Sequence, residues 1–508
     1  MSYDTIIIGA GLGGLTAGAK LAKAGQKVLV LEQHDVPGGC ATTFKRKKFI
    51  MEAGLHEMDG FTENSFKKKI FEDLEVFKGV EFIRLPEFYR TLWKDTDFVF
   101  PENPEEAAAK LKAEFPAEAQ AIDKYFRYVT GWGKEIETLP RTRLQKRIKG
   151  AFFPFFYPKL VRSTLNTAGG FLDKLFHDET LKMVLLSNSS YYHDDPYSLS
   201  MFYFAAGQNS YYTGGSYFVK GGSQKLSDHL MQFIRSHGGE VLLKKKVTSV
   251  ITIDGKAIGV TFETNDKSAG QEEKRFARNI IANAAVPQVA HSLLRGDPAK
   301  QLKKQTGKLQ PGPSILTVYL GFKKPPKQLG NRAYSTFVID DTVNSPKDIA
   351  ANARAGFDHR SFVFVDYGMI DAGLAPEGKA VGVICTMDYA ADWKGMDKKT
   401  YRKKKKETAE QLIERLEKVV PGISQIIEYQ EVSTPLTIER YTWNPAGTPY
   451  GYAQTPEQSA RKRLPVKSIV PGLYFASAWS SPGGGFSGAI LSGYTCALKV
   501  LQDTSVKK

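Results

Sequence analysis

The sequence contains few cysteines and no long apolar run. Three cysteines, Cys40, Cys385 and Cys496, are too few and too scattered for a disulfide framework or a metal cage. We therefore predict reduced thiols in a cytoplasmic-type compartment and no metal site. No stretch approaches the roughly 18–20 apolar residues of a membrane-spanning helix. The N-terminus does not resemble a signal peptide, because Asp4 precedes a short apolar run and glycines follow at once.

Composition indicates a globular protein with an excess of positive charge. With 508 residues the chain is too long for one ordinary core, so we expect two closely associated domains. The net charge of +16 is compatible with a partner that is a polyanion or with scattered lysines that only aid solubility. We find no nucleic-acid-binding motif, which leaves an anionic membrane surface as the better candidate partner.

The first 35 residues predict a strand, a glycine-rich turn, a helix and a second strand. Ile6–Ile8 is a short apolar run typical of a strand buried on both faces. A helical stretch over about residues 13–24 ends at Gly25, a natural C-cap. The run Val28–Leu31 forms the second strand and is followed directly by Glu32.

The turn carries the spacing of a dinucleotide-binding motif. Gly9 makes the tight turn, Gly11 lets the backbone and the following Leu12 approach a pyrophosphate, and Gly14 allows the helix to pack against the strand. The helix N-terminus offers free N–H groups to phosphates. Glu32 stands where a carboxylate accepts hydrogen bonds from ribose hydroxyls. Together with both strands, the motif predicts a bound dinucleotide.

Later stretches predict a return to the same sheet. Residues 239–265 alternate apolar and polar positions around a hairpin turn at Asp254–Gly255. A buried strand follows in RNIIANAAVP, and GLYFASAW at 472–479 is predicted to run into the glycines 483–485 and a helix. We expect an α/β fold with a Rossmann-like FAD-binding domain assembled from discontinuous segments and an interleaved α+β substrate domain. The predicted FAD-binding segments are 1–62, 215–299 and 449–508, and the substrate segments are 63–214 and 300–448.

The residues after Glu32 resemble one superfamily of flavoproteins. Gly38 and Gly39 form a second turn within LEQHDVPGGCATTFKRKKFIMEAGLH. This stretch resembles the flavin amine oxidase/phytoene desaturase superfamily, and most of all its branch of retinol saturases, carotenoid isomerases and carotenoid desaturases. The resemblance implies FAD as the cofactor, with this turn approaching its flavin side.

The resemblance extends to the middle and the end of the chain. YFVKGGSQKLSDHL matches a Gly-Gly turn of the family, and KKVTSVITIDGKAIGV matches its adenine-side strands, where Val247 is expected to contact adenine through its backbone. VPGLYFASAWSSPGGGFSGAILSG resembles the C-terminal cofactor segment, in which a turn containing Gly483 and Gly485 starts a helix that points at the isoalloxazine. Ala478 stands where some members carry an acid for the ribityl chain.

Two aromatic stretches suggest a lipophilic substrate. Tyrosines and phenylalanines crowd residues 190–218, either as the wall of a long apolar cavity or as ordinary core. In residues 145–165, Phe152, Phe153, Phe155 and Phe156 lie between basic residues that include Lys146, Arg147, Lys149, Lys159 and Arg162. This pattern suits insertion into an anionic bilayer surface, which would make the protein peripherally membrane-associated, or a lid over the cavity.

Candidate acid–base residues follow the second glycine turn. His56 and Glu52 should lie near the flavin if the family topology holds, and either could move a proton, although a structural role stays open. His193, Asp194 and Asp195 lack the wider ligand set of a metal site. The resemblance implies hydride transfer between flavin and a conjugated polyene, by saturation or desaturation, or cis–trans isomerisation. The electron partner stays unidentified.

Two alternatives remain. One is a flavin amine oxidase acting on a soluble substrate, which would not need the membrane-like segment 145–165. The other is a lipid-binding chaperone similar to Rab GDP-dissociation inhibitors, against which the intact glycine motif and Glu32 argue.

Overall fold

The computed structural model describes residues 3–140, 149–150, 152–264 and 272–505. Among these residues no helix is both long and apolar enough to cross a bilayer. The strands are β1 (Tyr3–Ile8), β2 (Val28–Leu31), β3 (Thr43–Arg46), β4 (Phe49–Glu52), β5 (Met58–Asp59), β6 (Phe82–Arg84), β7 (Tyr89–Trp93), β8 (Thr96–Phe100), β9 (Ser216–Val219), β10 (Glu240–Leu242), β11 (Lys245–Ile253), β12 (Lys256–Thr264), β13 (Glu273–Ala282), β14 (Ser314–Phe322), β15 (Ser335–Val338), β16 (Phe362–Asp366), β17 (Ala380–Asp388), β18 (Ile427–Ser433) and β19 (Leu473–Phe475).

The α-helices are numbered in the same way. They are α1 (Leu12–Lys23), α2 (Phe66–Asp73), α3 (Val76–Gly79), α4 (Pro104–Glu114), α5 (Ala119–Glu137), α6 (Phe153–Phe156), α7 (Pro158–Thr164), α8 (Ala168–Asp173), α9 (Glu179–Leu186), α10 (Met201–Gly214), α11 (Gln224–Ser236), α12 (Val286–Gln288), α13 (Gly296–Thr306), α14 (Ile349–Asn352), α15 (Lys398–Val419), α16 (Ile423–Ile426), α17 (Pro435–Thr442) and α18 (Gly485–Ser505).

A parallel sheet with the order β10-β2-β1-β13-β19 forms the centre of the nucleotide-binding half. Ile6 lies opposite Leu29 on one side and Ile280 on the other. The sequences of these strands are largely continuous apolar runs because both faces of the sheet are covered. The predicted strand–helix–strand unit is confirmed, with β2 at the predicted residues.

The strand β13 joins two sheets. Its first half pairs antiparallel with β12, and its second half pairs parallel with β1 and β19. β11 and β12 form the predicted hairpin, in which Asp254 and Gly255 have φ of 49° and 73°. Positive φ at both residues is the geometry of a tight two-residue turn.

A second, mixed sheet has the order β18-β14-β17-β16-β15-β7-β8. Helix α15 packs Ala409, Leu412 and Leu416 against the apolar face of this sheet. Helix α15 begins at Lys398, where Asp397 caps its N-terminus by accepting from the N–H groups of Lys399 and Thr400. The α/β fold with a discontinuous Rossmann-like unit is confirmed; the domain boundaries stay a prediction.

Glycines allow α1 to pack directly against its neighbours. A Cβ added to Gly13 would lie 2.0 Å from the carbonyl oxygen of Ala476, which follows β19. A Cβ added to Gly493 of α18 would lie 2.2 Å from the carbonyl oxygen of Gly13. Both distances are far below van der Waals contact, so only glycine allows this packing.

Replacing Gly493 with alanine should therefore destabilise the fold. Overpacking of this kind costs about 1–3 kcal/mol, because the backbone of α1 must move away. Thermal or urea unfolding of the Gly493→Ala variant would show the loss. Gly150→Ala is the control, since a Cβ there meets nothing within 4 Å. Equal stability of both variants and the wild type would contradict the proposed packing.

Candidate FAD site and substrate cavity

One large cavity connects the glycine turns with the aromatic segments. Its volume is about 1840 Å³. Its wall begins at Gly9 and Glu32, passes the C-terminal glycines at 483–485, and reaches Phe153 in α6. Most site residues predicted from the glycine motifs therefore line the same cavity as part of the aromatic stretch 190–218, although they are far apart in sequence.

Glu32 lies at the end of β2 with its carboxylate fixed against the first glycine turn. Its Oε2 accepts a hydrogen bond from the N–H of Ala10 at 2.7 Å, and its Oε1 accepts from the N–H of His34 at 2.9 Å. Both Glu32 and Gly11 line the cavity. Gly11 is the N-cap of α1, so the N–H groups of the first turn of the helix open onto this region.

The two N-terminal glycine turns lie against each other. The N–H of Gly38 donates to the carbonyl oxygen of Ala10 at 2.7 Å, and a Cβ added to Gly39 would lie 3.6 Å from Cα of Gly11. Leu12 and Val247 line the same part of the cavity, which brings together the residues predicted for the nucleotide. Gly14 does not line it; a Cβ there would lie 2.3 Å from the carbonyl oxygen of Gly9, which agrees with the packing role expected of this glycine.

The C-terminal glycine turn is supported by a buried arginine. Gly483 and Gly485 have φ of 90° and 57°, and both line the cavity. The guanidinium of Arg463 packs against Gly483 and donates from Nη2 to the carbonyl oxygen of Ala478 at 2.7 Å. Burial lowers the pKa of Arg463 to about 10. Helix α18 begins at Gly485, so its N-terminus also faces the cavity.

Sequence reasoning missed part of the nucleotide end. Tyr441, Trp443 and Asn444 line the cavity there, although they belong to a segment predicted for the substrate domain. Lys246 Nζ lies 4.9 Å from the centre of the Trp443 ring. No local motif marks these residues, because the chain between β18 and β19 brings them to the cavity only in the folded protein. Together with the glycine turns and Glu32, these three residues form a stretch of cavity wall long enough for an extended dinucleotide.

The segment 190–218 divides between wall and core. Tyr191, Tyr192, Phe202, Tyr203 and Tyr211 line the cavity, whereas the buried Phe204 and Tyr212 do not. The two alternatives for this segment, cavity wall and core packing, therefore each describe part of it. Burial raises the pKa of Tyr203 to about 12, so this hydroxyl stays protonated at neutral pH. The wall offers apolar rings with few polar atoms.

The two predicted acid–base residues occupy different places. His56 lines the cavity, where its Nδ1 lies 3.3 Å from the hydroxyl of Tyr191, and burial lowers its pKa to about 4. The carboxylate of Glu52 instead accepts from the N–H and the hydroxyl of Ser223, both at 2.7 Å, and from the N–H of Leu55 at 3.0 Å. Glu52 does not line the cavity, so its position gives the carboxylate no direct access to a substrate there.

The described part of the segment 145–165 forms the outer end of the cavity. Phe152, Phe155 and Phe156 are 64%, 82% and 43% exposed. Phe153 instead turns inward to line the cavity. Lys146 and Arg147 lie outside the described residues.

No group of three or more histidine, cysteine or acidic side chains suited to a metal occurs in the described part of the chain. The one close pair in the segment considered for metal binding is His193 Nδ1 and Asp194 Oδ1, 2.9 Å apart. Asp194 is also bound by the hydroxyl of Tyr389. Both side chains thus make contacts within the protein.

Comparison with known proteins agrees with this geometry. The model of the flavin containing amine oxidoreductases matches residues 12–501. The chain is 28% identical to a chloroplastic prolycopene isomerase of Daucus carota over 526 residues, which cover 100% of this chain and 81% of that protein. It is 26% identical to an all-trans-retinol 13,14-reductase of Danio rerio over 556 residues, which cover 98% and 86% of the two chains.

A solved structure shows the same fold. Cyclohexylamine oxidase from Brevibacterium oxydans superposes with a TM-score of 0.63 and 16% identity, covering 99% of this chain and 100% of the other. The family match confirms the predicted resemblance to the flavin amine oxidase superfamily and FAD as the cofactor.

Replacing Glu32 with alanine should weaken FAD binding. The loss of a charge-assisted hydrogen bond to ribose costs about 1.5–3 kcal/mol, which corresponds to a tenfold to hundredfold higher Kd. Titration of the apoprotein with FAD, followed by flavin fluorescence, measures this change. Glu240→Ala is a matched control, because Glu240 lies on the neighbouring β10, accepts from the hydroxyl of Tyr3 and does not line the cavity. An unchanged affinity of Glu32→Ala would place the ribose elsewhere.

Proposed function

Because the chain belongs to the flavin-containing amine oxidoreductase family, we propose that it is an FAD-dependent enzyme acting on a lipophilic conjugated polyene, a carotenoid or retinoid. The reaction is the saturation, desaturation or cis–trans isomerisation of a carbon–carbon double bond. The observation that carries this proposal is the single cavity, which joins the FAD-binding turns to a wall of aromatic rings. Two relatives named for prolycopene isomerisation and retinol reduction support it.

The cavity suits a long apolar substrate. Beyond the C-terminal glycines, Phe337 and Val363 of the second sheet line it, together with Tyr191 and Phe202. Apolar surfaces of this kind bind a hydrocarbon chain by excluding water from both, at about 25 cal/mol per Å² buried. Bound FAD supplies hydride transfer, and the protein residues hold the chain beside it and carry the companion proton. His56 stays neutral, so a hydrogen bond with a substrate or with Tyr191 is its expected contribution.

The two alternatives make different demands on the cavity. A flavin amine oxidase with a soluble substrate needs no exposed aromatic cluster at the cavity end, whereas Phe152, Phe155 and Phe156 form one here. A chaperone of the GDP-dissociation-inhibitor type does not need a dinucleotide site. Here Glu32 and glycines 9, 11, 38 and 39 line the same cavity, as a dinucleotide site requires. Both considerations favour a polyene-converting flavoenzyme.

Incubation with candidate polyenes tests the proposed function. The FAD-loaded protein, reduced with dithionite under anaerobic conditions, should convert at least one of all-trans-retinol, prolycopene or phytoene, as seen by product chromatography. The same protein held oxidised with an artificial electron acceptor covers the desaturation direction. Conversion of amines with no polyene product would support the amine oxidase instead, and no conversion with failure to bind FAD would support the chaperone.

We also propose that the outer end of the cavity contacts an anionic membrane. Phe153 and Leu160 line the cavity, while Phe155, two residues away from Phe153, is largely exposed. The segment thus has the inner face of a lid and an outer face available to a bilayer. Cations accompany the rings: Lys149 Nζ lies 5.7 Å from the Phe156 ring centre, and the guanidinium of Arg461 lies 4.4 Å from that of Phe153. A polyene could then pass from the bilayer into the cavity without crossing water.

Replacing Phe152, Phe155 and Phe156 together with serine should release the protein from anionic liposomes. Burying each ring contributes about 1.5–3 kcal/mol, and the nearby cations add an attraction that salt screens. Co-sedimentation with phosphatidylserine liposomes at low and high salt measures both effects. Phe276→Ser is the control. Phe276 is 47% exposed, as an aromatic ring of the segment 145–165 would be, but it lies on β13 and therefore outside that segment. Equal sedimentation of the triple variant and the wild type would show that this segment is not the membrane contact.

A further inference from the structure

Glu57 is an acidic residue of the cavity wall that no motif singled out. It lies between the predicted acid–base residue His56 and β5, and it lines the cavity beside Tyr191, Tyr192 and Tyr211. The residue is 9% exposed. An acidic side chain this deeply buried needs either a cation or a proton.

Among the residues that the structure describes, no cation acts on Glu57. Its Oε2 accepts from the hydroxyl of Ser335 at 3.3 Å, and its Oε1 has no hydrogen-bond partner among the described residues. The charged side chain that acts on it in the described part of the chain is Glu87, which has the same sign. The titratable groups around it also include His56 and six tyrosines, all neutral at pH 7: Tyr89, Tyr191, Tyr192, Tyr211, Tyr334 and Tyr367.

A neighbouring carboxylate shows the contrast. Asp59, two residues further on, also lines the cavity, but its Oδ2 lies 2.8 Å from Nζ of the buried Lys67. Asp59 therefore has the cation that Glu57 lacks. For Glu57, burial together with the charge of Glu87 raises the pKa to about 8, so that the carboxyl is mostly protonated at pH 7.

We propose that the carboxyl group of Glu57 donates the proton to the carbon–carbon double bond of the bound substrate. This assignment rests on the proposed polyene function and deepens it. An acid that holds its proton at neutral pH favours saturation or isomerisation over desaturation, since desaturation needs a carboxylate ready to accept a proton.

The step balances as a reduction. The π bond of the substrate breaks, one carbon receives the hydride that FAD supplies, and the neighbouring carbon forms a new C–H bond with the Glu57 proton. Glu57 becomes a carboxylate and regains a proton from solvent. When FAD is bound and has been reduced, for instance by dithionite, it would supply the electron pair of that hydride. In isomerisation the same proton adds to one carbon, the weakened bond rotates, and the proton returns to Glu57 without net redox.

Infrared spectroscopy and pH profiles test the assignment on the FAD-loaded protein. The wild-type minus Glu57→Gln difference spectrum should show a protonated carboxyl C=O band at pH 7, which shifts in D₂O and disappears as the pH rises through about 8. With all-trans-retinol or prolycopene as the probe, the wild-type rate should fall tenfold per pH unit above about 8. Glu57→Gln should lose this dependence and about 10²–10⁴-fold in rate.

Glu87→Gln is the matched control. Glu87 does not line the cavity, so its replacement should preserve the maximal rate. It removes a like charge that raises the pKa of Glu57, so the fall in rate should move to lower pH. Unfolding temperature and FAD content of Glu57→Gln, equal to those of the wild type, exclude a loss caused by misfolding.

The outcomes separate the two proposals. Absence of the carboxyl band, or a Glu57→Gln variant with the wild-type rate and pH profile, would overturn the role of Glu57 while leaving polyene conversion intact. A band at pH 7 in a protein that converts none of the polyenes would overturn the proposed function and, with it, proton donation to a polyene.

Discussion

The close approach of α1 to its neighbours determines where everything else in the site can lie. Gly13 meets the chain after β19, and Gly493 of α18 meets Gly13, each at a distance that excludes any side chain. Because the three elements touch through backbone, the N-termini of α1 and α18 open onto one cavity. Two helix N-termini provide unpaired N–H groups and positive dipole ends, which favour phosphate and the negative charge that a reduced flavin carries.

In the cavity beyond the FAD-binding turns, the point of interest is how the charge of each polar side chain is neutralised. Tyrosine hydroxyls are fixed as neutral by burial, His56 is kept neutral, and Asp59 is balanced by Lys67. Glu57 differs from Asp59 because, in the described structure, no cation lies against it and its Oε1 has no hydrogen-bond partner. Burial and the like charge of Glu87 raise its pKa to about 8, so the protonated form dominates at pH 7.

Local sequence predicted the parts of the protein whose structure is local. The apolar run Val28–Leu31 and the hairpin at Asp254–Gly255 lie where they were predicted, because burial on both faces and positive φ leave direct marks in the sequence.

The wall of the cavity could not be predicted in the same way. Glu52 and Glu57 are the same residue type five positions apart, yet Glu52 lies against Ser223 at the start of α11 while Glu57 faces the cavity. That difference depends on β4 pairing with β3, on β5 pairing with β9, and on Ser335 arriving from the second sheet. Tyr441 and Trp443 likewise line the nucleotide end of the cavity although they lie about 400 residues after the N-terminal glycine turns in the chain. Glycine spacing in the sequence is thus enough to locate a cofactor site. The position of Glu57 on the cavity wall depends instead on pairing between strands that are more than 150 residues apart in the chain.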